Sequence, residues 1–183
     1  MSPLPRLSEP VNGLVGLDVT EEMIELARAS PAAGCFVEVG VFQGGTAQYL
    51  HALAWEQRRN LYLYDTFTGI PFADPDKGDS HRVGEFADTS FEALQKLCPY
   101  AMIVAGVFPG SAVEMPPVAF AHLDCDQYRS ITESVTHLAP LMMAGGLIWF
   151  DDSPVLDGAR RATRELFGEL LQLSRTGRHF VRY

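Results

Sequence analysis

The chain of 183 residues is 47% apolar, 20% charged and 10% aromatic, enough for one globular domain around a single core and too little for two. Fourteen Lys and Arg against 23 Asp and Glu leave a formal charge of −9, the wrong sign for a protein that lives on phosphate backbones. No apolar run approaches the ~20 residues of a membrane helix, and the opening Met1-Ser-Pro-Leu-Pro-Arg-Leu-Ser-Glu-Pro10 lacks the apolar stretch of a signal peptide. The expectation is a cytoplasmic protein with neither nucleic acid nor membrane as partner. Cys35, Cys98 and Cys125 are odd in number and widely spaced, and read as buried thiols.

Residues 1–17 carry Pro3, Pro5, Pro10, Gly13 and Gly16, which predicts an extended, loosely held arm. Thr20 has the chemistry of an N-cap, with Glu21 and Glu22 in the first turn of a helix to about residue 29. Residues 34–40, closed by Gly40, read as a buried strand, and Gly44-Gly45-Thr46 opens a helical pattern through Tyr49, Leu50, Leu53 and Ala54. Residues 61–65 form the second predicted strand, ending on Asp65. From Thr66 to Asp88 all periodicity is lost among Gly, Pro and Asp, a length typical of functional lids, although Phe67, Phe72 and Phe86 suit a segment that closes over something.

Thr89 or Ser90 then caps a helix through Leu94 and Leu97, and residues 101–105 make a third strand. Residues 118–124 form a fourth strand, and a helix from Arg129 to about Leu138 stops before Pro140. Residues 146–152 form a fifth strand, a last helix spans about 156–173, and a final strand covers about 179–183. Strands that are nearly continuously apolar and alternate with helices predict a doubly wound α/β domain, its mostly parallel sheet covered by helices on both faces. The whole of 1–183 is one such domain, with 1–17 an arm and 66–88 a lid. Ligands of such sheets sit beyond the carboxyl ends of the strands.

Those ends carry Glu38 with Gly40, Asp65, Asp124 with Asp126, and Asp151 with Asp152. The first turn lacks the lysine of a P-loop, since Thr46 follows Gly45 directly, and Phe42 occupies the second glycine of the dinucleotide pattern Gly-x-Gly-x-x-Gly. An acid at Glu38 suits a cationic amine, and Asp65 is placed to accept from a ribose diol. S-adenosylmethionine, a nucleoside with a positive amino-acid tail, fits both. Asp124, Asp151 and Asp152 lie at the ends of neighbouring strands about 4.8 Å apart, where three like charges call for a hard cation such as Mg²⁺ or Ca²⁺. The bland alternative makes Asp152 a cap of the last helix and Asp126 a cap of the one before it.

Five segments taken together, Val37-Glu-Val-Gly-Val-Phe-Gln-Gly-Gly-Thr46, Tyr64-Asp-Thr-Phe-Thr-Gly-Ile-Pro71, Gly106-Val-Phe108, Leu123-Asp-Cys-Asp-Gln-Tyr128 and Gly145-Gly-Leu-Ile-Trp-Phe-Asp-Asp152, resemble the macrocin O-methyltransferase (TylF-like) family of class I methyltransferases over about residues 34–168. The resemblance implies an enzyme that methylates a sugar hydroxyl from S-adenosylmethionine with a divalent metal, and a metal chelated by two adjacent oxygens would favour a vicinal diol, whether of a sugar or a catechol-like aromatic. It implies that Glu38, Gly40, Val41, Gly44, Thr46, Asp65, Thr66 and Phe108 hold the cofactor, and that Asp124, Asp151 and Asp152 hold Mg²⁺ or Mn²⁺. Ser153 stands where the family commonly has tyrosine, Cys125 replaces a frequent glycine, and members tend to be longer at the amino terminus.

Candidates for the proton-accepting group are Asp124, Asp126 and His81, the last set in an acidic loop with no packing reason to be there. His122 reads as a core histidine, and Arg160, Arg161 and Arg164 as a solvated helix face. The acceptor is expected to be a hydroxyl-bearing small molecule or glycan. A homo-oligomer through the arm is left open. The rival readings are a nicotinamide oxidoreductase on a similar sheet and a catalytically inactive methyltransferase fold serving binding or assembly.

Overall fold

The computed structural model describes residues 4–8 and 10–183. Its elements are α1 (Leu17–Arg28), β1 (Cys35–Val39), α2 (Ala47–Gln57), β2 (Leu61–Asp65), α3 (Phe91–Leu97), β3 (Met102–Ala105), β4 (Val118–Leu123), α4 (Tyr128–Leu138), β5 (Met142–Phe150), α5 (Asp157–Phe167), β6 (Gln172–Leu173) and β7 (His179–Arg182). They form one seven-stranded sheet in the order β3-β2-β1-β4-β5-β7-β6. The first five strands are parallel, and β7 and β6 add on as an antiparallel hairpin.

Alternation along each strand splits the core in two. Phe36, Leu61, Leu63, Phe120, Leu147 and Trp149 pack under α1, α2 and α3. Val37, Val39, Tyr64, Leu123, Ile148 and Phe150 pack under α4 and α5. Both faces of β1 and β4 are buried, which is why they read as continuous apolar runs. Strand order reverses between β1 and β4, so a crevice opens at their carboxyl ends. Among the described residues no helix is long and apolar enough to cross a membrane.

Several boundaries differ from expectation for local reasons. α1 begins at Leu17 rather than at a Thr20 cap; the Thr20 hydroxyl instead donates back to the Gly16 carbonyl, 3.1 Å away inside the first turn. α5 ends at Phe167, because Gly168 adopts φ 51° and turns the chain out of the helix. Residues 172–173, expected in that helix, pair with β7 instead. Ser90 is the cap of α3, accepting from the Ala93 amide.

The arm is tied down at Val11 and Gly13. The Gln48 carboxamide accepts from the Val11 amide and donates to the Val11 carbonyl, and Gly13 lies so close to Gly45 that a Cβ on Gly45 would sit 2.3 Å from the Gly13 Cα. Residues 66–88 are likewise held. Ile70 exchanges backbone hydrogen bonds with Gly84 and Glu85, a neck that side-chain periodicity cannot reveal. The Gly78 carbonyl accepts from the Gly158 amide, Arg129 stacks on Phe72, and Lys77 lies over the Tyr128 ring. A short 3₁₀ turn, Pro75–Lys77, sits at the tip.

Candidate active site

A cavity of about 330 Å³ opens over the carboxyl ends of the parallel strands, within the range usual for small-molecule sites. Eleven of the thirteen residues expected to bind cofactor, to hold metal or to move a proton line it, but the placements differ in kind. Gly40, Val41, Thr46, Asp65, Thr66 and Phe108 line the cavity, as do His81, Asp124, Asp126, Asp151 and Asp152. Glu38 and Gly44 do not. Gly44 makes room for α3, since a Cβ there would meet Leu97 at 2.6 Å.

Glu38 is fully buried on the α1 side of the sheet. Its Oε1 accepts from the Thr46 hydroxyl and faces His122 Nδ1 at 3.0 Å, residues brought side by side by the register of β1 with β4. Burial by itself would lower the His122 imidazole, but the hydrogen bond and charge of Glu38, with Asp151 and Asp152 beyond, raise it. The two form a buried hydrogen-bonded pair under the first turn, so His122 is a core histidine with a partner. Glu38 is not among the cavity-lining residues, and its Oε2 is buried without a hydrogen-bond partner.

The first turn is shaped by close approach. Gly40 has φ 84°, and a Cβ on it would lie 1.8 Å from the Asp124 carbonyl oxygen, so no other residue fits. Asp65, at the end of β2, accepts from the Val41 and Phe42 amides through Oδ2 and from the Phe67 amide through Oδ1. These bonds support Phe42 and Phe67 in the left-handed region, φ 50° and 55°. Asp65 thus fixes two turns while still facing the cavity.

At the ends of β4 and β5 the arrangement is the reverse. Asp124, Asp126 and Asp152 each bring a carboxylate oxygen within 4.8 Å of the others. Burial pushes all three upward, to about 9 for Asp126; neighbouring carboxylate charges add to this for Asp124 and Asp126, and for Asp152 the charge of Asp151 adds while its bonds to Asp126 and Asp124 oppose. The trio differs by one residue from the expected Asp124, Asp151 and Asp152. Asp151 Oδ1 is instead 3.3 Å from Arg178 Nε, the one Lys or Arg among the cavity-lining residues. Asp126 enters because it takes φ 60°, turning its side chain into the group, and its amide donates to Asp152 Oδ2.

The capping alternative is not what these aspartates do. The amide of Tyr128 at the start of α4 is met by Asp79 from the long loop, at 2.8 Å, and α5 has no side-chain cap. The Cys125 thiol lies among the three carboxylates, and burial followed by their charge raises it far from reactivity. His81 lines the cavity opposite, its Nδ1 2.8 Å from Glu85 and its ring against Phe86. Arg161 and Arg160 lie on the outer face of α5, pairing with Glu165 and Asp157. Arg178 and Asp79 carried no sequence signal, because each acts through a partner distant in the chain, whereas Glu85 meets His81 only four residues away, in a segment without helical periodicity.

Comparison with known proteins places this geometry. The macrocin-O-methyltransferase (TylF) family model matches residues 3–172. A Streptomyces olivaceus enzyme, 8-demethyl-8-(2,3-dimethoxy-alpha-L-rhamnosyl)-tetracenomycin-C 4′-O-methyltransferase, is 26% identical over 90% of this chain and 69% of its own. Demethyldecarbamoylnovobiocin O-methyltransferase of Streptomyces niveus is 25% identical over 97% of this chain and 77% of its own. Among solved structures, the O-methyltransferase NovP superposes with a TM-score of 0.81 at 20% identity, covering 94% of this chain and 82% of that one. The calicheamicin methyltransferase CalS11 gives 0.72 at 19%, covering 91% and 78%. With its doubly wound sheet, its glycine turn and its carboxylate-lined crevice, this chain belongs to the macrocin-O-methyltransferase (TylF) family and is an S-adenosylmethionine-dependent O-methyltransferase.

Proposed function

We propose that the chain methylates a hydroxyl of a sugar carried by a small molecule, with a divalent cation held by Asp124, Asp126 and Asp152. The carrying observation is the half-buried trio within 4.8 Å, lining the same cavity as the first turn. Two unit charges at 4 to 5 Å repel by roughly 3 to 4 kcal/mol even at an effective dielectric near 20. No Lys or Arg among the described residues pairs with any of the three, and Arg178 is engaged by Asp151. Oxygens on opposite sides of Mg²⁺ stand about 4.2 Å apart and around Ca²⁺ about 4.8 Å, so the spacing suits a hard cation with little movement.

The sugar reading draws on the relatives, whose names specify a rhamnosyl-bearing and a novobiocin-type acceptor. When bound, S-adenosylmethionine supplies the methyl group, and the cation makes a coordinated hydroxyl more acidic. The chain's own groups do the rest. Asp65 offers its carboxylate toward a ribose diol, while Val41, Thr66 and Phe108 line the space around it. His81, oriented by Glu85, takes the proton of the acceptor hydroxyl at its free ring nitrogen. The loop carrying it, clamped at its Ile70 neck, shuts water out.

The experiment is a methyl-transfer assay on rhamnosylated acceptors with labelled S-adenosylmethionine, run with chelator and with Mg²⁺ or Mn²⁺. Transfer that requires the metal and a free sugar hydroxyl is expected. Full activity in excess chelator would remove the metal from the reading.

A further inference from the structure

The turn after β5 carries Asp151, Asp152 and Ser153, and the two residues that flank Asp152 are gripped from the start of β7. Arg178 Nε meets Asp151 Oδ1, and His179 Nδ1 stands 2.6 Å from Ser153 Oγ. The antiparallel register makes this possible, since it sets His179 opposite Phe150, the last residue of β5. Asp152 is left between two tethered neighbours, its own Oδ2 accepting from the Asp126 amide.

Ser153 is fully buried, and neither it nor His179 lines the cavity. Ser153 Oγ also lies 2.6 Å from the Thr163 hydroxyl of α5, which shares its one proton between the Ala159 and Arg160 carbonyls. The direction of the chain follows. Thr163 accepts from Ser153, so Ser153 accepts from His179, which carries its proton on Nδ1. Burial, then the charges of Arg164 and Arg160, hold the His179 imidazole below its ordinary value, so the donor is a neutral ring. With donor and acceptor roles both filled, Ser153 cannot turn without breaking a bond of this chain. That matters for its neighbour. When the trio is ionised, repulsion drives the Asp152 carboxylate away from Asp124 and Asp126, and a turn free to move would yield to it.

We infer that His179 is a positioning residue for the cation site: through Ser153 it holds the turn that aims Asp152 at Asp124 and Asp126, and it touches neither cation nor acceptor itself. The β6–β7 hairpin thereby does more than widen the sheet, since its second strand fixes the turn on both sides of Asp152. The inference rests on the reading of Asp152 as a cation ligand.

The test is Mn²⁺ titration followed by electron paramagnetic resonance in wild type, His179→Phe, His179→Asn and Ser153→Ala, with S-adenosylhomocysteine affinity measured on the same samples. His179→Phe keeps a flat ring and removes the donor. It should weaken Mn²⁺ about tenfold, the usual scale for a residue that orients a metal ligand, and leave S-adenosylhomocysteine within about twofold. Ser153→Ala removes the same bond with a smaller change of shape and should weaken Mn²⁺ to the same degree, the double variant losing no more than either single one. His179→Asn, whose carboxamide nitrogen can stand near the place of Nδ1, should bring Mn²⁺ affinity back to within about threefold of wild type. Unchanged Mn²⁺ binding in His179→Phe and Ser153→Ala overturns the inference. A loss that S-adenosylhomocysteine affinity shares also overturns it, since that marks a general loosening of the fold. Failure of wild type to bind Mn²⁺ overturns the cation reading on which the inference rests.

Discussion

Two acidic groupings face each other across the strand ends, and they are built in opposite ways. At β1 and β2, donors of the protein itself meet Glu38 Oε1, from Thr46 and His122, with Oε2 left unpartnered, and both oxygens of Asp65, from three backbone amides. At β4 and β5, Asp124, Asp126 and Asp152 are matched chiefly by one another. The first grouping holds a turn in shape. The second is crowded, and either a bound proton or an added cation relieves it, so the contrast separates acids that hold the turn from acids whose charge is left to be offset.

The largest effect expected from this division is on turnover. Asp124→Asn should lower kcat about a thousandfold, roughly 4 kcal/mol of transition-state stabilisation, and leave S-adenosylhomocysteine affinity within a few fold. A matching loss of cofactor affinity would merge the two groupings into one. Next comes His122→Phe, which strands the Glu38 carboxylate in the core. It should cost about 3 kcal/mol or more, a fall in Tm of roughly 6 to 12 °C. An unchanged Tm would show that Glu38 needs no internal partner.

The pH dependence of the metal-free protein follows from the direction of the shifts. Asp126 is raised on folding from 3.8 to about 9, so its contribution is present below the unfolded value and is lost as pH climbs toward 9. In chelator, Tm should therefore decline from about pH 5 to 9, and saturating Mg²⁺ should flatten that slope. Parallel curves with and without Mg²⁺ would count against the cation. Glu22 has the opposite sign. Burial would raise it, but bonds from the Thr176 hydroxyl and the Thr176 and Arg175 amides outweigh that and hold it low. Its stabilisation of the β6–β7 hairpin is present above its unfolded value and lost as pH falls through the folded one. Glu22→Gln, the smallest effect, should cost about 1 to 2 kcal/mol at pH 7 and nothing near pH 2.

Which parts of this were legible in the sequence follows the same contrast. Parallel strands buried on both faces write themselves as apolar runs ending in Gly or Asp, so β1, β2 and β4 were readable nearly to the residue. The crowding of acids on one edge was readable because it violates what cores tolerate. The membership of the cation trio was not, since it turns on the positive φ of Asp126 and on Arg178 drawing Asp151 aside, a contact across 27 residues. Glu38 was assigned by its position in the turn, and the register of β1 against β4, which delivers His122 to it, lies outside any local pattern. The order within residues 66–88 was hidden for the same reason, being made of backbone bonds and of contacts to α4 and α5.

The division is tested most directly by Mn²⁺ binding, followed by electron paramagnetic resonance, in wild type, Asp126→Asn and Asp151→Asn. With the cation between Asp124, Asp126 and Asp152, Asp126→Asn should weaken Mn²⁺ by about a hundredfold, while Asp151→Asn, which removes only a neighbour paired to Arg178, should stay within about fivefold. The reverse order, with Asp151→Asn abolishing binding and Asp126→Asn sparing it, would contradict the account.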